Sequence, residues 1–187
     1  KNLENILVKR HIENQSDRLI FLGGYIGPMP ILNLINALPR DNSINCDLIY
    51  GCYKKANINN IFHKKFMDIT SNSPVKIYYK NQYNHSKIYM WLKNNQPIEC
   101  ILGSANFSTS GLCNDYSETL IKANKDDLNT IKNLLENALN DSKVATDNTF
   151  DFEKKSLVKQ PNISNNLFNL DTVLSVDPPK ANIFLGN

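Results

Sequence analysis

Two short runs carry the chemical interest of this sequence, Asn84-His85-Ser86-Lys87 and Gly103-Ser104-Ala105-Asn106. His85 and Lys87 are two residues apart, so on an extended strand their side chains share a face. An imidazole can attack phosphorus or pass a proton near neutral pH. An ammonium beside it neutralises a non-bridging phosphate oxygen. Ser104 and Asn106 repeat the spacing at the end of the next apolar run. Asn106 can donate to a second phosphate oxygen, and Ser104 can tie the network together. A hairpin between the runs would lay the two pairs side by side. The result is a phosphate-binding and nucleophilic set that needs no metal and no cofactor.

Other residues of the same types carry less. His63-Lys64-Lys65 repeats the His-x-Lys spacing, but on a stretch of helical periodicity, where positions i and i+2 diverge. No Gly-Ser-x-Asn follows it, and His63 is expected on the surface. His11 lies beside Lys9 and Arg10 on what is expected to be a solvated helix face. Glu153 with Asp147 or Asp151 would make only part of a metal-holding carboxylate cluster. Cys46, Cys52, Cys100 and Cys113 form no Cys-x-x-Cys pair, and the histidines are not at zinc-finger spacing from them. They read as reduced, core-filling cysteines of a cytoplasmic protein.

The elements that must position His85 and its neighbours follow from periodicity. The spacing predicts a helix over 2–13, a buried strand over 18–23, and a helix over 31–38 stopped by Pro39, with Pro28 and Pro30 flanking a turn. A strand at 47–51, an amphipathic helix through Ile58, Ile61, Phe62, Phe66 and Ile69, and a strand at 74–79 come next. This alternation is the pattern of a largely parallel sheet with helices on it. His85–Trp91 and Ile98–Leu102 read as a hairpin across 93–97, which makes the sheet mixed. A strand at 116–123 and a helix at 125–139 complete the domain. The fold class is therefore α/β, a mixed β-sheet flanked by helices. Residues 1–141 are expected to form the domain. Residues 142–187 are polar and weakly patterned, and are expected to form a linker or the start of a second domain.

Composition excludes little. The 187 residues carry 21 Lys+Arg against 18 Asp+Glu, and that small excess does not by itself imply a nucleic-acid partner. The hydrophobic fraction of 41% suffices for one core. No run of about 18 apolar residues occurs, the length a membrane-crossing helix needs, and with no basic stretch leading into an apolar one at the start of the sequence a secretion signal is not expected.

His-x-Lys followed after one hairpin by Gly-Ser-x-Asn resembles the phospholipase D superfamily, over roughly residues 15–140. The family pattern places an Asp after four intervening residues beyond the His-x-Lys; here that position is Leu92, and the gap to Gly103 is longer than in the lipid enzymes. Both departures fit the restriction-endonuclease branch. Gly103–Gly111 and Gly24–Pro30 are similar to NgoFVII-type restriction endonucleases. The resemblance implies a phospholipase D/nuclease-like fold and assigns the family's late Glu to Glu118, which would accept a hydrogen bond from the imidazole and fix its tautomer. Asp115 is the rival for that role.

Family enzymes use two copies of the motif, and this chain has one. The resemblance therefore implies a homodimer with one active site shared at the interface. His85 of one protomer would form a phosphohistidine on double-stranded DNA, and His85 of the other would protonate the leaving group. A cognate DNA methyltransferase encoded separately would accompany a type II restriction enzyme. The alternatives are a non-specific nuclease, a lipid phosphodiesterase, for which no apolar entry surface is evident, and an inactive nucleic-acid-binding module.

Overall fold

Leu19-Ile20-Phe21-Leu22 is an uninterrupted apolar run, and such a run is buried only if both faces of its strand are covered. The structure, a computed structural model, describes residues 10, 13–41, 43–54, 60–112 and 118–146. In it this run is the centre of strand β1 (Arg18–Gly23), and all four side chains are fully buried.

The described elements follow as α1 (Pro28–Ala37), β2 (Asn45–Tyr50), α2 (Asn60–Thr70), β3 (Val75–Lys80), β4 (Ile88–Lys93), β5 (Gln96–Gly103), the single turn α3 (Thr109–Leu112), β6 (Leu120–Lys122), α4 (Leu128–Asn140) and β7 (Ser142–Val144). They build one sheet in the order β6-β5-β4-β1-β2-β3-β7. β1, β2 and β3 are parallel, whereas β4, β5, β6 and β7 join antiparallel to their neighbours. The sheet is therefore mixed, as expected. Phe21, Leu48, Ile77, Tyr79 and Trp91 face one core with Ile31 and Leu34 of α1 and Phe66 of α2. Ile20, Leu22, Ile49, Met90 and Leu92 face a second core with Leu128, Leu135 and Ala138 of α4.

Several details differ from expectation for local reasons. Pro28 and Pro30 do not flank a turn; Pro28 opens α1 and Pro30 sits in its first turn, where a missing N–H breaks no helical bond. β4 begins at Ile88 rather than His85. The β4–β5 connection narrows to Asn94-Asn95, whose φ values of 49° and 61° suit the left-handed positions of a tight hairpin. The strand expected over 116–123 is Leu120–Lys122 among the described residues. Arg10 is half-buried, and its guanidinium pairs with Glu99, which Asn14 and Lys122 also reach at 2.7 and 2.9 Å.

The sheet also runs past residue 141, because Ser142–Val144 pairs with β3. Most of the expected helix over 2–13, His11, Asp147, Glu153 and the rest of 147–187 lie outside the described residues.

Candidate active site

β1 and β2 both end in a glycine-containing pair, Gly23-Gly24 and Gly51-Cys52. The ladder continues one step beyond the strands, with Gly51 N–H donating to Gly23 O at 2.8 Å and Cys52 N–H to Gly24 O at 3.0 Å. β4 runs antiparallel to β1, so its beginning meets the carboxyl end of β1, with Leu22 opposite Ile88. β5 returns to the same edge, with Leu102 opposite Ile88. Both motifs therefore open onto the carboxyl edge of the parallel strands, where open α/β sheets bind ligands.

His85 and Lys87 are held on the approach to β4, not within it. Asn84 makes the bend: its N–H donates to Gly51 O at 3.1 Å, and its side-chain oxygen accepts Ser86 N–H at 2.8 Å. A Cβ on Gly51 would stand 2.1 Å from the Asn84 carbonyl oxygen, so only glycine permits this approach. The loop leaves His85 exposed and Lys87 buried. The Lys87 ammonium lies 2.7 Å from the His85 carbonyl, 2.8 Å from its Nδ1 and 3.2 Å from its Nε2. Burial lowers the Lys87 pKa, opposed by the nearby Cys52 and Glu118.

Asn106 reaches the same place from the end of β5 and is 8% exposed. Tyr25 N–H donates to its Oδ1 at 3.1 Å. A backbone N–H can only donate, so the carbonyl side of the amide faces Tyr25 and the NH₂ is left as a donor. The Asn106 loop is fixed from below by the Tyr89 hydroxyl, which donates to Ala105 O at 2.9 Å. A Cβ on Gly24 would come within 2.7 Å of His85 Cδ2 and 3.3 Å of Asn106 Oδ1. Gly24 is thus the bare floor on which both side chains rest.

Ser104 and Glu118 form a second layer. The Ser104 hydroxyl donates to Glu118 Oε2 and accepts Thr119 N–H at 3.0 Å. Glu118 is thereby held close enough for its charge to oppose part of the lowering of the Lys87 pKa by burial. Asp115, the rival carboxylate, lies outside the described residues. Leu92, at the family's Asp position, is fully buried in the core under α4. Among the described residues no group of three or more His, Cys, Asp or Glu side chains converges on one point, and no helix is long and apolar enough to cross a membrane.

His63 is not on the surface. It is 6% exposed, with Nδ1 3.0 Å from the Tyr79 hydroxyl and Nε2 3.2 Å from Thr146 O. Sequence reasoning missed two ring neighbours of His85 and one support of its loop. Tyr25 meets its ring edge-on at 5.8 Å, Tyr83 lies parallel to it at 6.4 Å, and the Cys52 thiol donates to Asn84 O at 3.2 Å. The signal available for them was position: each stands at or near the end of a parallel strand.

The family model described as the NgoFVII restriction endonuclease N-terminal PLD domain matches residues 1–150. Among solved structures, NucT from Helicobacter pylori has a TM-score of 0.52 at 16% identity, covering 74% of this chain and 91% of that one. Nuc from Salmonella typhimurium, a phospholipase D family member, has a TM-score of 0.54 at 14% identity, covering 75% and 89%. At these identities the two likenesses concern the fold. Comparison with curated proteins finds no match.

Proposed function

This chain belongs to the family of NgoFVII restriction endonuclease N-terminal PLD domains, and from that premise we propose that it hydrolyses DNA phosphodiester bonds through a phosphohistidine, without a metal ion. The observation that carries the reading is the convergence of His85, Lys87 and Asn106 over the Gly24 backbone. A phosphate set there meets a nucleophilic nitrogen, a fixed ammonium and an amide donor at one point.

A His85 ring nitrogen attacks phosphorus, and the bond to the leaving oxygen breaks. One imidazole cannot also protonate that oxygen from the opposite side of phosphorus. The partner's His85 supplies that proton in a homodimer whose single site sits on the two-fold axis. The same partner imidazole then takes a proton from water, the water oxygen attacks phosphorus, and the N–P bond breaks. Lys87 and Asn106 hold the non-bridging oxygens and stabilise the charge that builds there. The single set of motif residues in the chain supports the dimer. The family's restriction endonuclease name supports double-stranded DNA as substrate, a cytoplasmic setting, and a separately encoded methyltransferase as companion.

The test is cleavage of duplex DNA by the full chain in excess EDTA. Activity is expected to persist at its EDTA-free level. Cleavage that requires added Mg²⁺ would overturn the metal-free mechanism, and sedimentation showing an active monomer would overturn the shared site.

A further inference from the structure

Tyr83 is 54% exposed, the second most exposed of the large hydrophobic side chains on the described surface. Single exposed aromatics are common and usually need no explanation. This one is unusual in being oriented. Its ring is parallel to the His85 imidazole within 10°, with centroids 6.4 Å apart.

The orientation has a cause beneath it. The Tyr83 hydroxyl hydrogen-bonds the sulfur of Cys52, and the Cys52 thiol in turn donates to the Asn84 carbonyl at 3.2 Å. Cys52 is 1% exposed. The phenol is thus tied at its polar end to a buried group, while its face remains at the surface. The neighbouring loop, after β2, brings a cation to this one. The exposed Lys54 donates to Asn81 O at 3.2 Å and is steadied over the Tyr53 ring at 5.7 Å. A fixed aromatic face beside a surface cation is how proteins hold unstacked nucleotides: the ring takes the base and the cation takes the backbone.

We propose that Tyr83 is a stacking platform for the base of a nucleotide next to the scissile phosphate, presented single-stranded or lifted from the duplex stack. The proposal rests on the reading of His85 as the residue that meets phosphorus. A base bonded through its sugar to that phosphate falls beside the imidazole, within reach of the exposed face of Tyr83. Tyr83 is then a binding residue that selects nucleoside phosphodiesters over simple ones.

Two esters with the same leaving group separate this role from a structural one: thymidine 5′-(p-nitrophenyl phosphate) and methyl p-nitrophenyl phosphate. With the full chain, Tyr83→Ala is expected to lower kcat/KM for the thymidine ester by on the order of tenfold, mostly through KM. The methyl ester should change by less than about twofold; Tyr83→Phe, which keeps the stacking face but loses the tie to Cys52, should fall between wild type and Tyr83→Ala on the thymidine ester and match wild type on the methyl ester. Equal losses on the two esters would mean that Tyr83 only positions His85, and would overturn the proposal. So would loss of the dimer in Tyr83→Ala, which would assign the ring to the subunit interface.

A binding arm needs no chemistry. In a His85→Asn background, Tyr83→Ala should weaken binding of fluorescein-labelled oligothymidylate by on the order of tenfold. If neither ester is hydrolysed by wild type while this difference persists, the phosphodiesterase reading falls and the platform stands. If hydrolysis is normal and binding is indifferent to Tyr83, the platform alone falls.

Discussion

His63 and His85 are each followed two residues later by a lysine, and the fold treats the two pairs in opposite ways. At the first pair the histidine is buried and Lys65 is exposed on the far side of α2. Thr146 O can only accept, so Nε2 of His63 donates to it, and Nδ1 pairs with the Tyr79 hydroxyl. Both ring nitrogens are engaged, and neither faces solvent. At the second pair the histidine is exposed and the lysine is buried, folded back against the ring it serves. A nucleophile needs a nitrogen that substrate can reach, and a phosphate site needs a cation that cannot swing away. Only the second pair meets both needs. The spacing of residues is therefore a weak guide until the element beneath it is known: a helix separates i from i+2, whereas an extended loop at a sheet edge keeps them together.

The sharpest way to break this comparison is His85→Ala. Loss of a nucleophile should lower DNA cleavage by about 10³-fold or more, with thermal stability unchanged because the ring is exposed. Full activity in that variant would remove His85 from the chemistry and leave the contrast with His63 without meaning.

Glu118→Gln probes what tunes the cation of the second pair. The substitution keeps the shape and an acceptor for the Ser104 hydroxyl but removes the charge beside Lys87. Cleavage should fall on the order of 10²-fold, the usual weight of a positioned acid–base partner. The pH profile carries a second signature. Burial already lowers the Lys87 pKa and the Glu118 charge opposes that shift. Without the charge, Lys87 loses its proton at lower pH, so the alkaline limb of kcat/KM against pH should move to lower pH. If Glu118→Gln is silent and Asp115→Asn is crippled, the supporting carboxylate is Asp115.

Much of this contrast was legible in the residues. Apolar runs such as Leu19–Leu22 announce strands covered on both sides, and the two motifs joined by a hairpin announce a shared edge. The rest depends on contacts made far along the chain. His63 is drawn inside by Tyr79 and by Thr146, 16 and 83 residues away, and nothing in its own helix signals them. β7 is three residues long, too short to show a period. Gly51, Cys52 and Tyr83 acquire their roles only because the end of β2 abuts the loop before β4, a neighbourhood set by strand order. Even the placement of His85 and Lys87 on a strand was off by a few residues, although the Asn84 bend leaves them on one side all the same.

The smallest expected effect comes from the first pair. His63→Phe fills a similar volume but takes one hydrogen bond from the fully buried Tyr79 hydroxyl and one from the Thr146 carbonyl. A buried polar group that loses a partner costs about 1–3 kcal/mol, and urea denaturation should show a loss of that size with an unchanged slope. The double variant His63→Phe/Tyr79→Phe should recover part of the loss, since removing both partners of a buried bond is milder than removing one. DNA cleavage by either variant, measured where it is fully folded, should match wild type, because the His63 ring is engaged by Tyr79 and Thr146 on the β3–β7 side of the sheet. A His63→Phe variant that keeps its stability and loses cleavage would reverse the two histidines' roles.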